Sequence, residues 1–212
     1  MTRYRIFSIG ETAVSIDASV IMLACIAGAV GLQFFLLYVV CITLVFIHEL
    51  GHFLAAKRHG LAVHNIALNF VGAATLISML SSASPKTQFD VAVAGPLASL
   101  LASVILFMSY VLFPVEFVFN VAMLNLVFIF FGNILPLYPL DGGRMTLATI
   151  MHMHSDKPHV QHLDKMIITQ WYMGLITPAV ICLLFGWVYA LVVLVIAVVG
   201  LFMLLMQRRL MK

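Results

Sequence analysis

Six stretches of this chain are apolar over lengths close to what a lipid bilayer demands: residues 18–32, 34–56, 89–112, 117–138, 167–184 and 187–206. Crossing the hydrocarbon layer takes about 20 apolar residues of helix. Composition agrees, since 64% of residues are hydrophobic and only 9% charged, whereas a soluble domain is about 25% charged. A soluble single domain is therefore excluded. The chain reads as one membrane domain over 1–212, with its motifs between 34 and 145 and two C-terminal helices between 167 and 206.

The charges orient the spans. With six crossings both termini share a side. All 11 Lys and Arg fall on that side: Arg3, Arg5, Lys57, Arg58, Lys86, Arg144, Lys157, Lys165, Arg208, Arg209 and Lys212. The opposite loops, near 33, 114–116 and 185–186, hold none. Positive charge marks the cytoplasmic side, so both termini are expected there, and a net charge of +3 needs no nucleic-acid partner to explain it. Arg3 and Arg5 ahead of an apolar stretch resemble the start of a signal peptide. Mixed residues and Asp17 intervene, however, and no small-residue cleavage site follows, so the first stretch is expected to be retained. Cys25, Cys41 and Cys182 lie in apolar runs without a CxxC pair. They read as small buried side chains rather than as a disulfide framework or a zinc site.

Residues 61–80, LAVHNIALNFVGAATLISML, break the helical pattern. Asn65, Asn69 and Gly72 interrupt β-branched and small residues, which suits two short strands better than a span. RIFSIGETAVSID (5–17) alternates in a similar way and suggests a second hairpin. Strand edges cannot face lipid, so such a region must pack on protein or line a wet cavity. The expected fold is an α-helical polytopic membrane protein with about six transmembrane helices and a short membrane-associated β region.

Ionisable residues inside an apolar span are costly and mark function. The second span carries three of them in HELGH (48–52). His48 and His52 are four apart, hence on one helix face about 6 Å apart along the axis, where two imidazoles can grip one Zn²⁺. Glu49 lies beside them as a general base, which is the HExxH pattern of metalloproteases. Catalytic zinc takes three protein ligands and a water. A metzincin-type third histidine is absent, because Ala55 and Arg58 occupy the positions that extension needs. His59 and His64 lie beyond the span and read as polar loop residues. Asp141 is the better third ligand. It ends the fourth span in NILPLYPLDGGR (133–144), where Pro136 and Pro139 break the helix and Gly142 and Gly143 permit unusual backbone. By the charge-derived topology, that end and the HELGH end of the second span share a side.

These two motifs resemble those of the site-2 protease family, the intramembrane zinc metalloproteases. HELGH matches the family's metal helix. NILPLYPLDGG (133–143) is similar to its second motif, Asn-x-x-Pro-x-Pro-x-x-Asp-Gly, departing at Tyr138 where the pattern has proline. AGPLAS (94–99) resembles a Gly-Pro motif in the intervening helix, and 61–76 sits where the family has its β region. The resemblance runs from about residue 5 to 145, and beyond that only the number and hydropathy of the spans agree. It implies one zinc per chain held by His48, His52 and Asp141, with Glu49 as acid and base. It also implies that Asn133 helps hold substrate backbone or the oxyanion. A minimal form without PDZ or other accessory module is expected.

The reading that follows is an intramembrane protease acting on membrane-protein substrates, single-pass ones above all, in a prokaryotic inner membrane with both termini cytoplasmic. Its partners are that substrate and the lipid bilayer. The 61–80 strands offer an edge to which an unwound substrate can add. The alternative is a zinc-binding membrane transporter. MHMHSDKPHVQH (151–162), with His152, His154, His159 and His162, is either a metal-binding loop or a polar cytoplasmic linker. Asn125 reads as a polar residue joining helices.

Overall fold

The structure is a computed structural model and describes residues 3–69, 72–155 and 159–210. In order it comprises β1 (Arg3–Ile9), β2 (Thr12–Asp17), α1 (Ala18–Val30), α2 (Leu32–Arg58), β3 (Val63–Asn69), β4 (Gly72–Ile77), a short 3₁₀ turn (Leu80–Ser82) and α3 (Pro85–Leu112). Then come α4 (Glu116–Leu124), a π-helical segment (Asn125–Phe131) and α5 (Gly132–Ile134), which together form one rod, followed by α6 (Asp141–Met153), α7 (His159–Phe185) and α8 (Trp187–Leu210).

Among the described residues, four helical stretches are long and apolar enough to cross a bilayer: Leu32–Arg58, Pro85–Leu112, Glu116–Ile134 and Ala190–Leu210. α1 has 13 residues and so rises about 20 Å, short of the ~30 Å hydrocarbon layer. α7 opens on the polar sequence HVQHLDK and contains Pro178. α6 forms an additional helix between the proline-broken segment and α7, where the sequence pattern gave only a loop.

The chain divides into two compact units: Met1–Ala83 with Val93–Gly132, and Ser84–Ala92 with Asn133–Lys212. In the first unit both anticipated hairpins are present, and they join into a single sheet in the order β1-β2-β3-β4. The joint is a parallel pairing of β2 with β3, Ala13 opposite Asn65 through Ile16 opposite Leu68. Side chains reinforce it. Thr12 Oγ1 donates to the Val63 carbonyl at 2.7 Å, and the Asn65 amide donates to Ser15 Oγ at 2.8 Å. Asn65, which made this stretch a poor transmembrane helix, is thus a strand-to-strand link.

Asp17 closes β2 and caps α1. Its carboxylate accepts the Ser19 N–H at 2.9 Å, a standard N-cap, and that bond holds the carboxyl below its ordinary pKa. α1 gives way to α2 at Gly31, whose φ of 155° favours glycine. Lys57 and Arg58 close α2 at the end where a helix dipole favours cations.

The helices are built inside out relative to a soluble protein. On α3, Leu97, Leu101, Val104, Ile105 and Met108 are exposed, while Ser99 and Ser103 are buried. Leu44, Ala102, Val121 and Ile129 pack beneath them as a small apolar cluster. Buried serines beneath an apolar exterior suit helices packed in lipid, and this is an integral membrane protein. Cys25 is exposed and Cys41 half-buried, both as free thiols. The expectation of buried cysteines fails for Cys25, because an apolar thiol suits an outward face in lipid as well as a core. Cys182 lies outside the residues whose side chains are described.

In the second unit, α6, α7 and α8 pack around Leu147, Leu163, Met166 and Leu204, with Tyr138 against them. Asp164 and Arg208 form an ion pair between α7 and α8.

Candidate metal centre

α2 brings His48, Glu49 and His52 together as a group whose possible ligand atoms lie within 4.8 Å of one another. All three are buried, at 5%, 7% and 6% exposure. The imidazoles meet edge to face, ring centroids 4.9 Å apart at 81°. Their Nε2 atoms converge to 3.2 Å. Two nitrogens bonded to one tetrahedral zinc at roughly 2.0–2.1 Å stand about 3.3–3.4 Å apart, so the pair fits a shared ion closely.

The surroundings explain why the rings point this way. For His48 to present the Nε2 lone pair, its proton must sit on Nδ1, and Ser99 Oγ lies 2.9 Å from that nitrogen. Metal-binding histidines are commonly fixed through their other ring nitrogen in this manner. Ser99 is itself anchored, since Asn125 Nδ2 donates to the Ser99 carbonyl at 2.8 Å and to Ser103 Oγ at 2.9 Å. Asn125 therefore joins helices as expected, and it also stands behind the residue that orients His48. It begins the π-helical segment, a distortion frequently found at functional sites.

Two glycines let α3 approach α2. A Cβ on Gly51 would stand 2.8 Å from the Ala94 carbonyl carbon and 2.9 Å from Ala98 Cβ. A Cβ on Gly95 would stand 2.5 Å from His52 Cε1 and 2.8 Å from His48 Nε2. Gly95 of AGPLAS is thus the wall against which both histidines lie. On the sheet side, Thr75 of β4 donates its hydroxyl to Glu49 Oε2 at 2.7 Å. The carboxylate is aimed by the sheet as well as by its helix.

Asp141 belongs to the second unit, where it is the first residue of α6 and is 6% exposed. A carboxylate in the first turn of a helix is favoured by the dipole. The segment before it is non-helical from Leu135 to Leu140, as the prolines require. The glycines after it have a different purpose from the one expected. Neither Gly142 nor Gly143 has positive φ, and both are helical. What they provide is room, because a Cβ on Gly142 would meet the Ile134 carbonyl carbon at 2.5 Å and one on Gly143 the Leu137 carbonyl oxygen at 2.7 Å. Asn133 is half-buried in α5.

Three other histidines have backbone or hydroxyl partners. His64 pairs with Ser78. His154 Nδ1 lies 3.1 Å from the Ile150 carbonyl, and His162 Nε2 lies 2.7 Å from the His154 carbonyl. Residues 156–158 of the histidine-rich loop, and the side chain of His159, lie outside what the structure describes. Sequence reasoning noted AGPLAS (94–99), which contains Gly95 and Ser99, without giving either a role, and it did not single out Thr75. The available signals were a serine on an apolar span four residues after Gly95 and, for Thr75, none.

Residues 35–118 match Peptidase family M50. The chain is 28% identical over 119 residues to "Zinc metalloprotease MJ0392" of Methanocaldococcus jannaschii, which covers 54% of this chain and 34% of that protein. It thus spans about a third of that relative's length. Its fold is similar to that of the solved "Site-2 Protease from Methanocaldococcus jannaschii", with TM-score 0.65, 19% identity and 94% of each chain covered. Nothing in these matches favours a transporter. The chain thus matches Peptidase family M50 over residues 35–118 and shares the fold of a solved site-2 protease.

Proposed function

We propose that this chain is an intramembrane zinc metalloprotease that hydrolyses peptide bonds within or near transmembrane segments of membrane proteins, and that 1–212 acts as one catalytic domain. The observation that carries the reading is the convergence of two buried histidine Nε2 atoms to 3.2 Å, with a glutamate beside them, on an apolar helix. His48, His52 and Asp141 would hold one zinc. Zinc bound there would supply Lewis acidity. Glu49 takes the proton from the attacking water and delivers it to the leaving amine. Thr75 holds one carboxylate oxygen of Glu49 and so keeps the other directed. Asn133 holds the substrate backbone or the oxyanion.

A substrate helix must unwind before its carbonyls can react, because each is tied up in an i→i−4 bond. β4 is the last strand of the sheet, and its Thr75 touches Glu49. A substrate segment paired to the β3–β4 region would lie beside the base. Six spans, cytoplasmic termini, a prokaryotic inner membrane and single-pass substrates complete the proposal.

The test is cleavage of a membrane-spanning substrate by detergent-purified or reconstituted protein, with and without a zinc chelator. Chelator-sensitive cleavage restored by added zinc supports the reading, and cleavage indifferent to chelation refutes it. Prolines placed within 66–76 should block cleavage of a helical substrate. If they do not, substrate pairing to the strands is wrong.

A further inference from the structure

We propose that Gln170 of α7, with Gly200 of α8, forms a socket for the backbone of Tyr138 and thereby positions Asp141. This rests on the reading of Asp141 as a zinc ligand. The socket lies wholly within the second unit.

The segment Leu135–Leu140 is irregular, and irregular backbone at membrane depth has to satisfy its polar groups inside the protein. Part of this is local, since the Leu137 N–H reaches the Leu135 carbonyl at 2.7 Å and the Leu140 N–H the Leu137 carbonyl at 2.9 Å. Tyr138 is served from outside. Its N–H donates to Gln170 Oε1 at 2.9 Å, and its carbonyl accepts from Gln170 Nε2 at 3.2 Å. A primary amide is the side-chain group that offers an acceptor and a donor together, so one glutamine meets both polar groups of one residue, as a strand neighbour would. Gln170 Nε2 also donates to the Ala197 carbonyl of α8 at 3.0 Å. Gln170 is 1% exposed, a buried polar group on an otherwise apolar stretch of helix, and such groups are kept for a reason.

α8 completes the socket by omission. A Cβ on Gly200 would stand 2.5 Å from the Tyr138 carbonyl carbon and 2.8 Å from Gln170 Nε2. The ring of Tyr138 packs on the cluster of Leu147, Leu163, Met166 and Leu204, which anchors the same residue on its other side. Three residues later Asp141 begins α6, so the socket sets the start of the helix that carries the carboxylate. Tyr138 is also where this chain departs from the family pattern. A proline there has no N–H to give Gln170 Oε1, so the glutamine and the non-proline residue form a matched pair.

The test measures zinc affinity by competition with a chelator in the full-length purified protein. Gln170→Leu keeps bulk and removes all three hydrogen bonds. Gly200→Ala removes no hydrogen-bonding group but crowds the Tyr138 carbonyl and Gln170 Nε2. Both should weaken zinc binding about 10–100-fold, the range for groups that orient a ligand. Tyr138→Phe, which leaves the backbone contacts intact, should bind as wild type. In the Asp141→Ala background, Gln170→Leu should add no further loss, because a residue acting through Asp141 has nothing left to act on. Wild-type affinity in both Gln170→Leu and Gly200→Ala overturns the socket. An equal loss with and without Asp141 overturns its action through Asp141. Undiminished affinity in Asp141→Ala alone overturns the ligand reading itself, and the socket's purpose with it.

Discussion

Gly95→Ala is the substitution whose effect the geometry prescribes most sharply. The added carbon would stand 2.5 Å from His52 Cε1 and 2.8 Å from His48 Nε2. Carbon contacts are comfortable at about 3.5–4.0 Å, so roughly 1 Å must be found somewhere. α3 cannot easily give it, because Gly51 already admits the Ala94 backbone with no side chain between, and Ala98 Cβ lies beside it. The rings cannot easily give it either, since His48 is pinned to Ser99. Overpacking of this kind costs about 1–3 kcal/mol, and a 1 Å error at a reacting site can cost about 100-fold in rate. Gly95→Ala should therefore lower the thermal midpoint in detergent, weaken zinc about 10–100-fold and reduce cleavage at least as much. Gly132→Ala is the matched control, because its Cβ would find nothing nearer than the Val127 carbonyl oxygen at 3.9 Å. Chelator competition and a thermal melt on both variants decide it. Wild-type zinc affinity in Gly95→Ala would refute the claim that this glycine forms the wall of the site.

Two neighbours of the ligand helix give separate readouts. Ser99→Ala removes the hydroxyl 2.9 Å from His48 Nδ1. An unpaired buried polar group costs about 1–3 kcal/mol, and zinc affinity should fall about 10–100-fold in the same chelator titration, whereas unchanged affinity would mean that Ser99 does not orient His48. Thr75→Val removes the donor to Glu49. It should lower kcat about 10-fold or more with zinc content unchanged, and Thr75→Ser should restore it. Loss of zinc in Thr75→Val, or no rescue by serine, would count against positioning of Glu49.

The parts of this protein that repeat along the chain were legible in its sequence. Apolar runs located the long helices, and the patterns in 5–17 and 61–80 located two hairpins. HELGH was legible because helical spacing alone puts both histidines on one face. What escaped was whatever depends on a neighbour distant in sequence. The parallel joint of β2 with β3 brings together residues about fifty positions apart, and no local pattern encodes it. Ser99 and Thr75 act across a helix pair and a strand–helix contact, so neither stands out within its own segment. Gln170 lies on a largely apolar stretch of α7, and only its three bonds to Tyr138 and Ala197 give it meaning. Gly142 and Gly143 were rightly singled out for the wrong property, since they serve close packing on 134–138 rather than unusual dihedrals. The length of α1 was overestimated because Gly31, at the turn into α2, ends it early.

The most direct test of the account is zinc content measured beside cleavage in wild type and Glu49→Gln. Glutamine keeps the shape of Glu49 but cannot take a proton, and general base catalysis is worth about 10²–10⁴ in rate. The account predicts one zinc per chain in both proteins by mass spectrometry, with substrate cleaved by wild type and lost by at least about 100-fold in Glu49→Gln. Cleavage by Glu49→Gln at the wild-type rate, or an active wild-type protein without zinc, would contradict it.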